Sequence, residues 1–253
     1  MSNLKNMIRW EFLLMYRYKI IHISILSVIL YYITTRVVED LQTVTSVNAT
    51  ALPGITEVSP MSSTMLFFDP ALIGIMFLGA LVLFEKSERV LQALVLTPMD
   101  TNDYLFSKII SLTTLSIISS LIFMALLVFI DGAKINIFYL LGGIILASVM
   151  LILVGFIFVA RVNSINGYLL SIMIGLLLLA LPPVFQLFGF IDTPIIYIWP
   201  TQASFILLDG VFNSASLEAW EVAYGILYQL AWIVVLFYFS KKSFHKYIVL
   251  KGG

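Results

Sequence analysis

The sequence predicts an all-α polytopic membrane protein with six transmembrane helices, and three observations predict it. Of 253 residues, 61% are hydrophobic and 11% charged, where a soluble domain carries roughly 45–50% and 25%. Apolar runs near twenty residues long recur along the whole chain, leaving no stretch that could close a separate water-soluble core, so residues 1–253 read as a single membrane domain. The basic residues also sort by side. With both termini in the cytoplasm, every Lys and Arg except Arg36 and Lys134 falls inside, the asymmetry that orients membrane proteins.

Each element follows in order. Within residues 1–19, Leu4, Met7, Ile8, Phe12, Leu13 and Met15 share one broad helical side while Lys5, Arg9 and Glu11 lie elsewhere. That pattern predicts an N-terminal amphipathic helix lying in the inner membrane surface; a first span lengthened by snorkelling basic residues is the alternative. The first apolar run, 20–38, is too long for a signal-peptide core and reads as a retained anchor. Further runs at 65–84, 107–130, 137–160, 167–189 and 221–240 can each cross about 30 Å of hydrocarbon as helix. The apolar stretch 195–208 is shorter and carries Pro200 in its middle, and a seventh crossing would put "KKSFHK" outside. It is therefore expected to re-enter and leave on the same face, within an outer segment spanning 190–220.

Between spans two and three lies a cytoplasmic segment, 85–104, that opens "EKSERVLQALVLTPMD". Glu85 and Arg89 stand at i and i+4 with the acid first, the favourable order on an exposed helix. Val90, Leu91, Leu94 and Val95 form an apolar stripe. Thr97 can cap a second helix starting at Pro98, with Asp100 completing a capping box. The segment reads as two helical pieces joined at a corner.

Candidate chemistry is sparse. There is no Gly-rich phosphate loop and no Gly-x-Ser-x-Gly elbow, cysteine is absent, and the two histidines, His22 and His245, lack zinc-site neighbours. The chain is thus expected to be no enzyme and to hold no metal or cofactor, and its zero net charge argues against nucleic acid. Asp69, before Pro70 and near the outer end of span two, is read as a helix cap, with substrate contact as the alternative. Ser111, Thr113, Thr114, Ser116, Ser119 and Ser120 of span three are read as helix-packing residues.

The stretch "EKSERVLQALVLTPMDTNDYLFSKII", residues 85–110, resembles the permease subunits of type 2 ABC transporters, a class of drug, antibiotic and polysaccharide exporters, at Glu85, Glu88, Leu91, Leu94, Thr97, Pro98 and Lys108. The N-terminal basic helix with Trp10-Glu11 fits the same class, and "FFDPALIGIMFLGALVLFEK" is similar to its smaller drug-export permeases, the fluoroquinolone-export-like ones. The resemblance implies a multi-pass plasma-membrane exporter subunit working by alternating access in a homo- or heterodimer on an apolar or amphipathic substrate such as a drug, antibiotic or lipid-like molecule. ATP and Mg would sit in a separate ABC ATPase subunit. That subunit would contact Glu85, Glu88, Arg89, Leu91, Leu94, Thr97 and Pro98, with Arg9 and Glu11 framing the contact. Phe67, Phe68, Asp69, Trp199 and Pro200 would belong to the substrate path, the dimer interface or an outer gate. An ion-coupled secondary transporter or channel, and a haem-export-type permease, stand as alternative readings.

Overall fold

In the computed structural model, residues 2–46, 60–88, 101–215 and 217–249 are described. Helix α1 (Ser2–Arg17) turns into α2 (Ile20–Ser46) at Lys19, whose φ of 58° is left-handed and breaks the helix. A single rod follows, made of α3 (Pro60–Ala71), a π-helical stretch Leu72–Phe77 and α4 (Leu78–Ser87). Then come α5 (Thr101–Asp131), α6 (Ile137–Val159) and α7 (Ile165–Leu187). A 3₁₀ turn, Pro194–Ile198, and the short α8 (Gln202–Asp209) lead into α9 (Ala219–Phe244), which closes in a π turn, His245–Val249.

Six of these helical stretches are long and apolar enough to cross a membrane: Ile20–Val37, Ser62–Ser87, Thr101–Asp131, Ile137–Val159, Ile165–Leu187 and Ala219–Tyr247. The α3–α4 rod and α6 form the middle of the bundle, with 72% and 67% of their apolar windows buried, whereas α2, α7 and α9 are buried over only 22%, 22% and 11%. Those outer helices present Leu26, Leu170, Leu178, Leu227 and Val234 outward, a surface stable against hydrocarbon rather than water. The two ends of the bundle are distinct. At the terminal end, Tyr104 of α5 packs on Phe244 of α9, ring centroids 4.9 Å apart; at the far end, Arg36 of α2 pairs with Asp131 of α5.

Proline positions explain the irregular stretches. Pro70 has no N–H to give the Leu66 carbonyl, and its ring crowds that turn. The rod accommodates this with the π turn that follows, where carbonyls fall out of the i→i+4 ladder. Within that turn the Ile75 carbonyl, which takes the Leu78 N–H, also accepts the Tyr168 hydroxyl at 2.6 Å from α7. The Tyr168 ring is buried in a berth that Gly79 keeps open: a Cβ there would lie 1.9 Å from Tyr168 Cε1. In α7, Pro183 similarly deprives the Leu179 carbonyl of its helical donor. The Trp199 Nε1–H donates to that carbonyl at 3.0 Å and the Thr201 hydroxyl joins it.

That bond describes the path of the segment between α7 and α9. Leu179 lies about two turns back from the end of α7, so after leaving α7 the chain doubles back beside it. Helix α8 then returns, buried from Gln202 to Leu208, with Ser204 taking a hydrogen bond from Gln229 Nε2 at 2.6 Å. It ends where Asp209 accepts from Ser63, at the start of the rod. At the terminal end, the Lys86 ammonium donates to the carbonyls of Val159, Ala160 and Val162, closing α6.

The Tyr168 berth makes a direct prediction. Gly79→Ala forces the ring or the rod to move and should destabilise the protein by about 1–3 kcal/mol, read as a lower unfolding temperature in detergent, while Gly142→Ala, where an added Cβ meets nothing within 4 Å, should not.

Candidate functional site

Lys108 enters the membrane domain two turns into α5 and is completely buried. Its ammonium donates to Glu11 Oε2 of α1 at 2.7 Å and to Glu85 Oε1 of α4 at 2.5 Å. Tyr104, one turn earlier on the same helix face, donates its hydroxyl to Glu85 Oε2 at 2.6 Å. The Tyr104 ring in turn rests against Phe156 of α6 and Phe244 of α9. One cluster therefore joins five helices at the terminal end of the bundle. An ammonium out of water demands anions, and here it has two. Two carboxyl groups on one cation also leave the pair with an excess negative charge. Burial pushes the Glu11 carboxyl up to about 7 against the pull of Lys108, and the Glu85 charge adds to the rise.

This corrects the expectation for Glu85 and Glu11. Glu85 does not stand on an exposed face; it and Glu11 are 5% and 3% exposed and turned onto Lys108. The reason is energetic, since a buried ammonium costs far more unpaired than a surface helix pair gains. Arg9 and Glu88 are exposed, as a contact role requires. Arg89, Leu91, Leu94, Thr97 and Pro98 lie outside the described residues. Directly beside the cluster, Trp10, Leu14 and Arg17 of α1 and Phe84 and Glu88 at the end of the rod line a groove of about 210 Å³.

A second buried polar group lies deeper. Asp69 is 2% exposed and accepts hydrogen bonds from the Ser119 hydroxyl on Oδ1 at 2.7 Å and the Ser120 hydroxyl on Oδ2 at 2.8 Å. Its reading as a helix cap is overturned, because α3 begins at Pro60 and Asp69 stands well inside it. Ser119 is more than three turns from the far end of α5 at Asp131, so this carboxyl is well inside the span. Ser119 and Ser120 are helix-packing residues of a specific kind, satisfying an acid on the neighbouring helix, whereas Ser116 bonds its own helix at Leu112.

The remaining predicted residues do not converge with Asp69 on one cavity. Phe67 is fully buried and stacks on Phe205 of α8 at 4.2 Å, so it has no surface for a second protomer. Phe68 is partly buried, and Trp199 and Pro200 lie half-buried in the doubled-back segment. Sequence reasoning passed over Tyr104 and over the pairing of Lys108. The available signal was Lys108 itself, a cation at the edge of an apolar run that needs a named partner. Among the described residues, no three acidic or histidine side chains cluster as a metal site would need.

Comparison with known proteins bears on this geometry. The model of the fluoroquinolones export permease protein family matches residues 2–252. Two relatives, the fluoroquinolones export permease proteins of Mycobacterium tuberculosis strains CDC 1551 / Oshkosh and H37Rv, are each 30% identical over 254 residues, covering 100% of this chain and 99% of the relative. No solved structure matches the chain.

Two outcomes follow from the Lys108 cluster. Lys108→Met leaves two acids facing each other without a cation and should cost about 3–5 kcal/mol of stability; adding Glu11→Gln and Glu85→Gln should restore much of it, as thermal unfolding would report. For pH, the folded-state value of Glu11 is raised from 4.5 to about 7, so the folded protein holds more protons than the unfolded across that window. Stability from this group is greatest at the low end and falls as pH rises from about 4.5 to about 7. Glu11→Gln should flatten that slope.

Proposed function

Since the chain belongs to the fluoroquinolones export permease protein family, we propose that it is the membrane subunit of an ATP-driven exporter, moved by a separate ABC ATPase subunit that holds ATP and Mg. The carrying observation is the Lys108 bridge to Glu11 and Glu85. It fastens three elements, α1, the end of the rod and the start of α5, on either side of residues 89–100. A partner pressing on that segment would move all three together, because the buried ion pair resists separation.

In this reading both termini face the cytoplasm, as the distribution of Lys and Arg supports, and α1 lies along the inner surface of the plasma membrane. Arg9, Glu88, Arg89, Leu91, Leu94, Thr97 and Pro98 provide the contact: the apolar stripe is buried on the ATPase and the charges set orientation. Glu11 and Glu85 act behind that surface as positioning residues. The exported substrate is apolar or amphipathic, a drug, antibiotic or lipid-like molecule, and it passes between two permease protomers, identical or different, by alternating access. Their facing surfaces come from the outward apolar sides of the less buried helices. Phe68, Asp69, Trp199 and Pro200 belong to its path or to the outer gate. The segment between α7 and α9 re-enters the outer leaflet.

Purifying the tagged chain from its native membrane should bring an ATPase subunit with it, and Leu91→Asp with Leu94→Asp should release that subunit while the chain still inserts. Retained association with both substitutions present would overturn the docking role. One observation favours a second reading, ion-coupled transport: the carboxyl of Asp69 at membrane depth. Vesicles containing the chain without any ATPase or nucleotide separate the two. Nucleotide-free transport that is lost in Asp69→Asn would establish ion coupling; no transport until ATPase and ATP are supplied is the expected result.

A further inference from the structure

The outward face of α9 is continuous and changes chemistry once along its length. Leu227, Val234 and Val235 give it an apolar strip, 67%, 70% and 43% exposed. Tyr238 and Phe239 follow, both exposed, with their rings edge to face at 5.7 Å. Lys241 and Lys242 then close the helix and His245 and Lys246 open the π turn, all four exposed. At 3.6 residues per turn, positions 227, 234, 235, 238, 242 and 245 fall on one side, with 239, 241 and 246 at its margins. The opposite side is buried at Gly225, Gln229, Ser240, Ser243 and Phe244. Apolar strip, aromatic pair and cations therefore lie in line, and the rings and the last cation are about 12 Å apart.

These cations have no counter-charge in the protein's own structure. No acid follows Glu221, which stands at the opposite end of α9. Among the described residues, the ion pairs are those of Arg36 and Lys108. Roles that basic residues commonly play here explain their presence but not their placement. Orientation in the membrane needs lysines at this end, on any side of the helix. The helix dipole accounts for Lys241 and Lys242 in the last turn of α9, and it too is indifferent to their alignment with the apolar strip.

The alignment fits an amphipathic anion. An acyl chain can lie along Leu227, Val234 and Val235, while Tyr238 sits where aromatic rings favour the membrane–water boundary. A phosphate on the same molecule then meets the ammonium groups. A soluble anion would use the lysines and leave the strip unused. Basic clusters at the end of a span attract anionic headgroups by about fivefold for each cation near the surface, so three lysines suffice for a marked preference over a zwitterionic lipid.

We propose that this face of α9 is a binding surface for an anionic phospholipid, with Lys241, Lys242 and Lys246 on its phosphate and its acyl chain on the strip above. The proposal goes beyond the export reading and does not depend on it. Occupied, the surface tethers the end of α9 to the bilayer, and through the packing of Phe244 on Tyr104 it tethers the Lys108 cluster as well.

The chain has no cysteine, so Val235→Cys gives a single attachment point for a bimane label on the apolar strip, about 9 Å along the helix from Lys241. The labelled full-length chain is placed in phosphatidylcholine bilayers that contain a minor fraction of brominated phosphatidylglycerol or, for comparison, of brominated phosphatidylcholine with the same chains. Neither ATPase nor nucleotide is present, so the outcome is independent of the docking experiment. Quenching should report an association with phosphatidylglycerol at least about tenfold stronger than with phosphatidylcholine, weakening as salt is raised. Lys241→Gln, Lys242→Gln and Lys246→Gln together should remove the preference and leave the unfolding temperature unchanged, because all three side chains are exposed. Lys5→Gln with Lys19→Gln, also exposed at the terminal end, should leave the preference intact. Equal quenching by the two lipids, or a preference retained in the folded triple variant, would overturn the proposal. So would an equal loss in the Lys5 and Lys19 variant, which would make the attraction a property of the whole surface, and so would displacement of the lipid by glycerol phosphate, which would assign the lysines to a soluble anion.

Discussion

The burial of the Lys108 ammonium constrains everything around it at the terminal end of the bundle. An ammonium cannot stay charged in an apolar interior without anions in hydrogen-bonding contact, so two distant carboxylates, one 97 positions earlier and one 23, must be brought to it. That requirement holds α1 and the end of the rod against the start of α5. It also orients Tyr104, whose hydroxyl completes Glu85 and whose ring carries the contact on to α6 and α9. A buried ion pair of this kind adds little net stability compared with apolar packing, but it is intolerant of partial disruption.

A second constraint is the need to satisfy every backbone group inside hydrocarbon. Three prolines in the spans, Pro70, Pro182 and Pro183, break the helical ladder. At Leu179 the fold answers by bringing donors from another element, Trp199 and Thr201, while Tyr168 adds a bond to Ile75 in the π turn. The breaks thus become the points where helices distant in sequence are fastened together. The doubled-back segment is held in place by the carbonyl that Pro183 leaves free.

Polarity in this protein is concentrated at three depths. The terminal end carries the Lys108 cluster beside the groove at Trp10 and Phe84; the interior carries Asp69 on Ser119 and Ser120; the far end carries Asp209 on Ser63 and the Arg36–Asp131 pair. This arrangement gives the two ends of the bundle different polar chemistry. The two are connected physically, because the α3–α4 rod runs from Ser63, which bonds Asp209 at one end, to Glu85, which bonds Lys108 at the other.

The all-helical class and the number of spans could be read from the chain because they depend on a local quantity, the length of each apolar run. Membership of a permease class was legible in residues 85–110 for the same reason. The destination of each polar side chain was not. Glu85 satisfies an i, i+4 rule with Arg89 as well as any surface residue, and Asp69 before Pro70 satisfies a capping rule, yet tertiary packing turns both inward onto groups 23 and about 50 residues away. Sequence spacing ranks local partners only, whereas burial makes an unpaired charge so costly that the nearest buried counter-group in space prevails over the nearest in sequence.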